Sequence, residues 1–192
     1  MYLEPIFSTP IWSEVLNHNT KEIELYIRSI QSSQTGRVIS NEGGWQSNDL
    51  YEVDAVNTPI APVVSDIKKL LRVCFQTLEV PHIPRLENFW FNINPPNSYN
   101  KPHIHGNNCF LSVCYYVTAP ENCGDLYFDR GPHQEYILTN FIPIGTNTFN
   151  SQRWAYQAEA NKVIIFPAWI SHHVGINKSE QDRISIAFNV KI

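Results

Sequence analysis

Arg183-Ile184-Ser185-Ile186-Ala187-Phe188-Asn189-Val190 alternates without a break. Ile184, Ile186, Phe188 and Val190 hold one parity, and Arg183, Ser185, Ala187 and Asn189 hold the other. Strand side chains point to opposite faces with period two. The stretch therefore reads as a strand with Ile184, Ile186, Phe188 and Val190 facing the core and the other four facing the other way. The same period appears upstream, where Phe89, Phe91 and Ile93 alternate with Trp90, Asn92 and Asn94. Residues 109–118 form a nearly continuous apolar and aromatic run, as expected of a strand buried on both faces. Segments 124–130, 136–142, 154–157 and 162–167, with the segment around His103, complete a series of about eight strands. Thirteen prolines and eight glycines punctuate the chain, which suits short strands better than a helical bundle.

Before residue 80 the period is helical. Residues 19–32 carry Ile23, Tyr26, Ile27 and Ile30 on one stripe, with Asn19 or Thr20 as cap. Residues 59–78 carry Val63, Ile67, Leu70, Leu71, Val73 and Phe75 on a broad apolar face. The expected fold is mainly β, a double-stranded β-helix (jelly roll) braced by N-terminal α-helices. It is read as a single domain over 1–192, with the helical support in about 19–80. At 192 residues such a domain can bury a substantial core.

Composition narrows the function. The chain is 43% hydrophobic and 12% aromatic, which excludes general disorder. Lys and Arg together number 14, the formal net charge is −4, and no basic run occurs, so nucleic acid is not an expected partner. No apolar stretch approaches the roughly 20 residues that span a bilayer. The start, Met1-Tyr2-Leu3-Glu4-Pro5, lacks the pattern of a secretory signal, so the expectation is a soluble intracellular protein. Cys74, Cys109, Cys114 and Cys123 form no Cys-x-x-Cys pair and read as reduced thiols.

The chemistry rests on His103-Ile104-His105, on the later His172, and on Arg183 with Ser185. Two histidines at i and i+2 share a strand face, and a third from a distant strand closes one side of a metal ion. Three imidazoles leave part of a coordination sphere open, which favours catalysis over a closed structural site. The ferrous oxygenase pattern has a carboxylate where His105 stands, and Asn107 is not acidic either. The third ligand is then His105 or a carboxylate, with Asp125 and Asp129 as acidic alternatives. A lone His-x-His is a weak signal, and of His172 and His173 only one can face a cavity. The ordered set of pair, distal histidine and arginine is worth more than its parts. A fixed cation and a hydroxyl beside an open metal face suit a carboxylate that chelates the metal with its other end.

These residues resemble the 2-oxoglutarate and iron(II)-dependent oxygenases, in particular the small oxygenases of bacteria and phages. The resemblance covers nearly the whole chain. Phe7-Ser8-Thr9-Pro10-Ile11-Trp12 is similar to that group's opening strand, and Gly43-Gly44-Trp45-Gln46-Ser47-Asn48-Asp49-Leu50 to its Gly-Trp-Gln-Ser segment. Phe166-Pro167-Ala168-Trp169-Ile170-Ser171-His172 and Arg183-Ile184-Ser185-Ile186-Ala187-Phe188-Asn189 resemble its distal-ligand and cosubstrate strands. The resemblance implies iron(II) held by His103, His105 and His172, with His172 preferred over His173. It implies 2-oxoglutarate on Arg183 and Ser185, with Asn92, Tyr99 and Tyr116 lining its pocket. Dioxygen would be the second cosubstrate, and the reaction a hydroxylation of an unidentified substrate with release of succinate and carbon dioxide. It also implies a bacterial or host cytoplasm and a possible homodimer. Two alternatives stand beside it. One is a cupin-like three-histidine metalloenzyme, although the glutamate that cupins place after His-x-His is missing from Gly106-Asn107-Asn108-Cys109. The other is a non-catalytic metal-binding jelly-roll module.

Overall fold

The computed structural model describes residues 1–106, 108–131 and 144–192; Asn107 and the strand expected at 136–142 lie outside the described residues. The elements run β1 (Trp12–Val15), α1 (Thr20–Ser33), β2 (Asn41–Glu42), β3 (Trp45–Gln46), α2 (Glu52–Ala55) and α3 (Ala61–Thr77). They continue with β4 (Arg85–Asn94), β5 (Tyr99–His103), β6 (Leu111–Thr118), β7 (Leu126–Asp129), β8 (Arg153–Tyr156), β9 (Lys162–Pro167), β10 (His172–Val174) and β11 (Arg183–Lys191). Two antiparallel sheets result. One has the order β1-β9-β6-β11-β4-β3 and the other β2-β5-β10-β7-β8. This is the expected jelly roll.

The alternation in β11 decides where each layer goes. Ile184, Ile186, Phe188 and Val190 are fully buried on the outer face of the six-stranded sheet. There they join Ile23 and Ile27 of α1 and Val63, Ile67, Leu71 and Phe75 of α3. The helices thus brace the sheet from outside, as the 3.6-residue stripes predict. The Asn19 side chain caps α1 by accepting from the Glu22 amide. A second cluster of Tyr116, Leu126, Phe128, Ile164 and Phe166 fills part of the space between the sheets. Strand β6 contributes to both clusters, which explains why its sequence is apolar on both parities.

Several expectations are corrected. Val73 is exposed, and Cys74 takes its place on the buried stripe of α3. The opening strand begins at Trp12 rather than Phe7, with Phe7 exposed and Pro10 lacking an amide for a ladder. Strand β10, which carries His172, is a separate element, paired with both β5 and β7. Strand β5 carries an irregularity. His172 pairs with His103 and Val174 with Asn100, so two steps on β10 oppose three on β5. The extra residue falls at Lys101-Pro102, where proline cannot donate to a ladder. Face parity therefore flips along β5, with consequences for Tyr99 below. The four cysteines are free. No helix among the described residues is long and apolar enough to cross a membrane.

Candidate active site

Between the sheets lies a chamber of about 60 Å³. The six-stranded sheet lines it with Trp90, Asn92, Tyr116, Arg183 and Ser185, and the other sheet with Asn100, His103 and His172. His105 belongs to the same lining, although β5 ends at His103. It is tied down by its own amide, which donates to the Ala168 carbonyl at 2.9 Å.

His103, His105 and His172 converge, with one ligand atom of each within 4.8 Å of the others. This is the one grouping of metal-ligand side chains among the described residues. Each ring already spends its Nδ1 on an oxygen. His103 Nδ1 lies 2.7 Å from the Lys101 carbonyl and His172 Nδ1 lies 2.9 Å from the Ile170 carbonyl. His105 Nδ1 lies 2.5 Å from Asn189 Oδ1. A carbonyl oxygen only accepts, so Nδ1 carries the proton and Nε2 keeps its lone pair. Burial also holds the rings neutral. It pushes His172 down to about 3, with help from nearby His103, and lowers His103 and His105 below the usual histidine value. Three neutral imidazoles with free Nε2 atoms are a grouping that could hold a metal ion.

Arg183 is the largest fully buried side chain among the described residues. Its Nη1 donates to the carbonyls of Cys123 at 2.7 Å, Gly124 at 3.2 Å and Gly175 at 3.3 Å. The cradle requires close approach of two backbones. Gly124 has φ +89°, and a Cβ there would overlap the Gly175 carbonyl. Among the described residues Arg183 Nη2 has no partner, nor do the hydroxyl of Tyr116 and the Oδ1 of Asn92. All three residues line the chamber. Buried polar groups are normally hydrogen-bonded, so three such atoms around one chamber call for an explanation. Burial pushes the Cys114 thiol up to about 11 and the Tyr116 hydroxyl well above its ordinary value, so both are neutral.

The two sheets bring together nearly all the residues singled out by sequence. Ser185 is cross-strand from both Asn92 and Tyr116. His173 points elsewhere, with Nδ1 3.1 Å from Asp129 and its ring stacked on Tyr127. Asp129 is thereby engaged, with Arg153 on its other oxygen, and Asp125 accepts from the Ala158 amide; neither joins the histidine cluster. Tyr99 is half-exposed and outside the chamber lining. The irregularity in β5 substitutes Asn100 for it, so the expectation for Tyr99 is corrected. Sequence reasoning missed Asn100 and the contact of Asn189 with His105. The parity of Asn189, shared with Arg183 and Ser185, was the available signal. It also missed an outer groove of about 330 Å³ that meets the chamber at Trp90, His103 and His105.

Fold and site together define a jelly-roll protein with a three-imidazole face opposite a buried arginine. Residues 88–189, just over half of the chain, match the family described as "Putative 2OG-Fe(II) oxygenase". The chain belongs to that family and is a 2-oxoglutarate and iron(II)-dependent oxygenase, with dioxygen as its other cosubstrate. No curated protein matches the chain in sequence. Solved structures do match its fold. A prolyl-4-hydroxylase from Pseudomonas putida is 12% identical, with a TM-score of 0.63, covering 96% of this chain and 94% of that one. A viral collagen prolyl hydroxylase from Paramecium Bursaria Chlorella virus-1, in a 2-oxoglutarate complex, is 13% identical over 95% and 96%, with a TM-score of 0.60. HygX from Streptomyces hygroscopicus, with nickel and 2-oxoglutarate bound, is 13% identical over 95% and 83%, with a TM-score of 0.62.

Proposed function

We propose that His103, His105 and His172 hold iron(II), that Arg183 and Ser185 bind the far carboxylate of 2-oxoglutarate, and that the chain hydroxylates a substrate seated in the outer groove. The carrying observation is the complementarity inside one chamber. Three imidazoles offer free Nε2 atoms on one side, and a buried guanidinium with an unpartnered Nη2 stands on the other. The fit extends to charge. The imidazoles are neutral, so iron(II) and Arg183 would give the chamber three positive charges, of which a dicarboxylate offsets two.

Iron(II), 2-oxoglutarate and dioxygen supply the oxidation, in which the cosubstrate loses carbon dioxide to give succinate and a C–H bond of the substrate is hydroxylated. The residues prepare that chemistry. Arg183 is pre-aimed by three backbone carbonyls and presents Nη2 as a charge-assisted donor. Ser185, two residues along the same strand, and the Tyr116 hydroxyl on neighbouring β6 add neutral donors. The apolar side chains of Phe166 and Leu126 line the chamber beside these polar groups. His103 and His105 stand where chamber and groove meet, so a metal held by them would be reachable from both.

The reactions named for fold neighbours range from prolyl hydroxylation to an epimerase and a carbocyclase. The outcome is therefore set by what the groove holds rather than by the fold. The free thiols fit a cytoplasmic setting. One domain spanning 1–192 is supported by the chamber drawing residues from both sheets.

Incubation with iron(II), 2-oxoglutarate and ascorbate tests the reading. Succinate should form slowly without substrate, and 2-oxoglutarate binding should depend on Arg183. Neither succinate nor Arg183-dependent binding would leave the non-catalytic module as the surviving reading.

A further inference from the structure

His103 and His172 are oriented by carbonyls two residues upstream in their own backbone. His105 is different, because its Nδ1 meets a side chain 84 residues away. That side chain, Asn189, is itself held. Its Nδ2 donates to Asn88 Oδ1 at 2.9 Å, and Asn88 Nδ2 donates to Asp49 Oδ1 at 2.7 Å. Asp49 is clamped by Arg37 through two nitrogens, at 2.9 and 2.5 Å.

The direction of this chain is not arbitrary. An ionised carboxylate only accepts, so Asn88 must turn its Nδ2 towards Asp49. Its Oδ1 then faces Asn189, which must answer with Nδ2 and turn Oδ1 towards His105. His105 can meet that oxygen only with a protonated Nδ1, which leaves Nε2 for a metal. The hydrogen bond from Arg37 holds the Asp49 carboxyl below its ordinary value and keeps it an obligate acceptor. Every member of the chain also lines the outer groove.

We propose that Arg37, Asp49, Asn88 and Asn189 form a polar relay that sets the tautomer and aim of His105, with Asn189 as the positioning residue. The proposal rests on the reading of His105 as a metal ligand. It explains how a histidine serves where related sites carry a carboxylate. A carboxylate needs no tautomer fixed, whereas an imidazole does, and the relay supplies that from the rigid six-stranded sheet and the segment before α2. Second-sphere partners of this kind change metal affinity by about 10–100-fold when removed.

The test uses the full chain without metal and then with metal. Long-range proton–nitrogen NMR of the metal-free protein reads the tautomer of each histidine. In the wild type His105 should be in the Nδ1–H form. In Asn189→Leu it should shift towards the Nε2–H form, while His103 and His172, held by backbone, stay unchanged and report an intact fold. Asn189→Asp keeps an acceptor and should keep the wild-type tautomer. Affinity for iron(II), measured anaerobically against a chelator, should fall at least tenfold in Asn189→Leu and stay within tenfold in Asn189→Asp. If Asn189→Leu does not fold, Asp49→Asn carries the test, because an amide at that end lets the relay reverse and should give a mixture of His105 tautomers. An unchanged His105 tautomer with unchanged metal affinity overturns the relay and leaves the metal site standing. A wild type that binds no iron(II) overturns the site reading and the relay's role together.

Discussion

At the scale of single residues, the chamber is defined by polar atoms that the protein leaves without partners. Arg183 is the main case. Its Nη1 is anchored by three carbonyls while Nη2, on a residue that lines the chamber, has no partner among the described residues. Arg183→Lys is not conservative, because an ammonium cannot fill the carbonyl cradle and present a second donor together. A hydrogen bond to a charged group contributes about 1.5–3 kcal/mol, so this substitution should weaken 2-oxoglutarate binding by about 10–100-fold. Calorimetric titration of manganese(II)-loaded protein checks it. Tyr116 gives a prediction of mixed sign. Its buried hydroxyl has no partner among the described residues, and such a group costs about 1–3 kcal/mol. Tyr116→Phe should therefore raise thermal stability without ligand and lower 2-oxoglutarate affinity about tenfold. A variant that loses stability and keeps affinity would remove Tyr116 from the cosubstrate pocket. The residue types at these positions were legible in sequence because parity grouped them. Their unpartnered state was not, since the carbonyls of Cys123, Gly124 and Gly175 meet only through the fold.

At the scale of elements, regular strands were read well and irregular ones were not. Alternation in β4 and β11 placed both faces correctly. In β5 the extra residue at Lys101-Pro102 breaks the period, turns Tyr99 outward and brings Asn100 in. No local signal beyond Pro102 marks that change. Its consequence is measurable. Tyr99→Phe should leave 2-oxoglutarate affinity within twofold of wild type in the same titration, in contrast to Tyr116→Phe. His105 was legible as an i+2 partner of His103, and it converges although it lies past the end of β5. The helices follow the same logic of period. Ile67 is fully buried where α3 meets the outer face of the six-stranded sheet. Ile67→Ala should cost about 2–5 kcal/mol, seen as a lower urea midpoint. That loss belongs to the brace, so metal affinity of the folded fraction should remain unchanged. A parallel fall in intrinsic affinity would mean that the helices tune the site as well as support its scaffold.

At the scale of the whole molecule, the chamber divides its ligands between two sheets. His103 and His172 stand on the five-stranded sheet, while Arg183 and Ser185 stand on the six-stranded one. A 2-oxoglutarate molecule that chelates the metal at one end and meets Arg183 at the other ties the sheets together. On the proposed assignment, metal alone would engage one side and 2-oxoglutarate alone the other. Occupation of both then adds an interaction that neither makes by itself, and linkage requires each ligand to tighten the other by the same factor. A ligand that binds only the folded state stabilises it by about 2.7 kcal/mol at a hundredfold excess over its dissociation constant. Thermal unfolding with manganese(II), with 2-oxoglutarate, and with both should therefore show a combined shift larger than the sum of the separate shifts. Arg183→Leu should abolish the excess while keeping the shift from manganese(II) alone. Strictly additive shifts in the wild type would mean that the two ligands do not touch, and the chamber could not then be the place where cosubstrate meets metal.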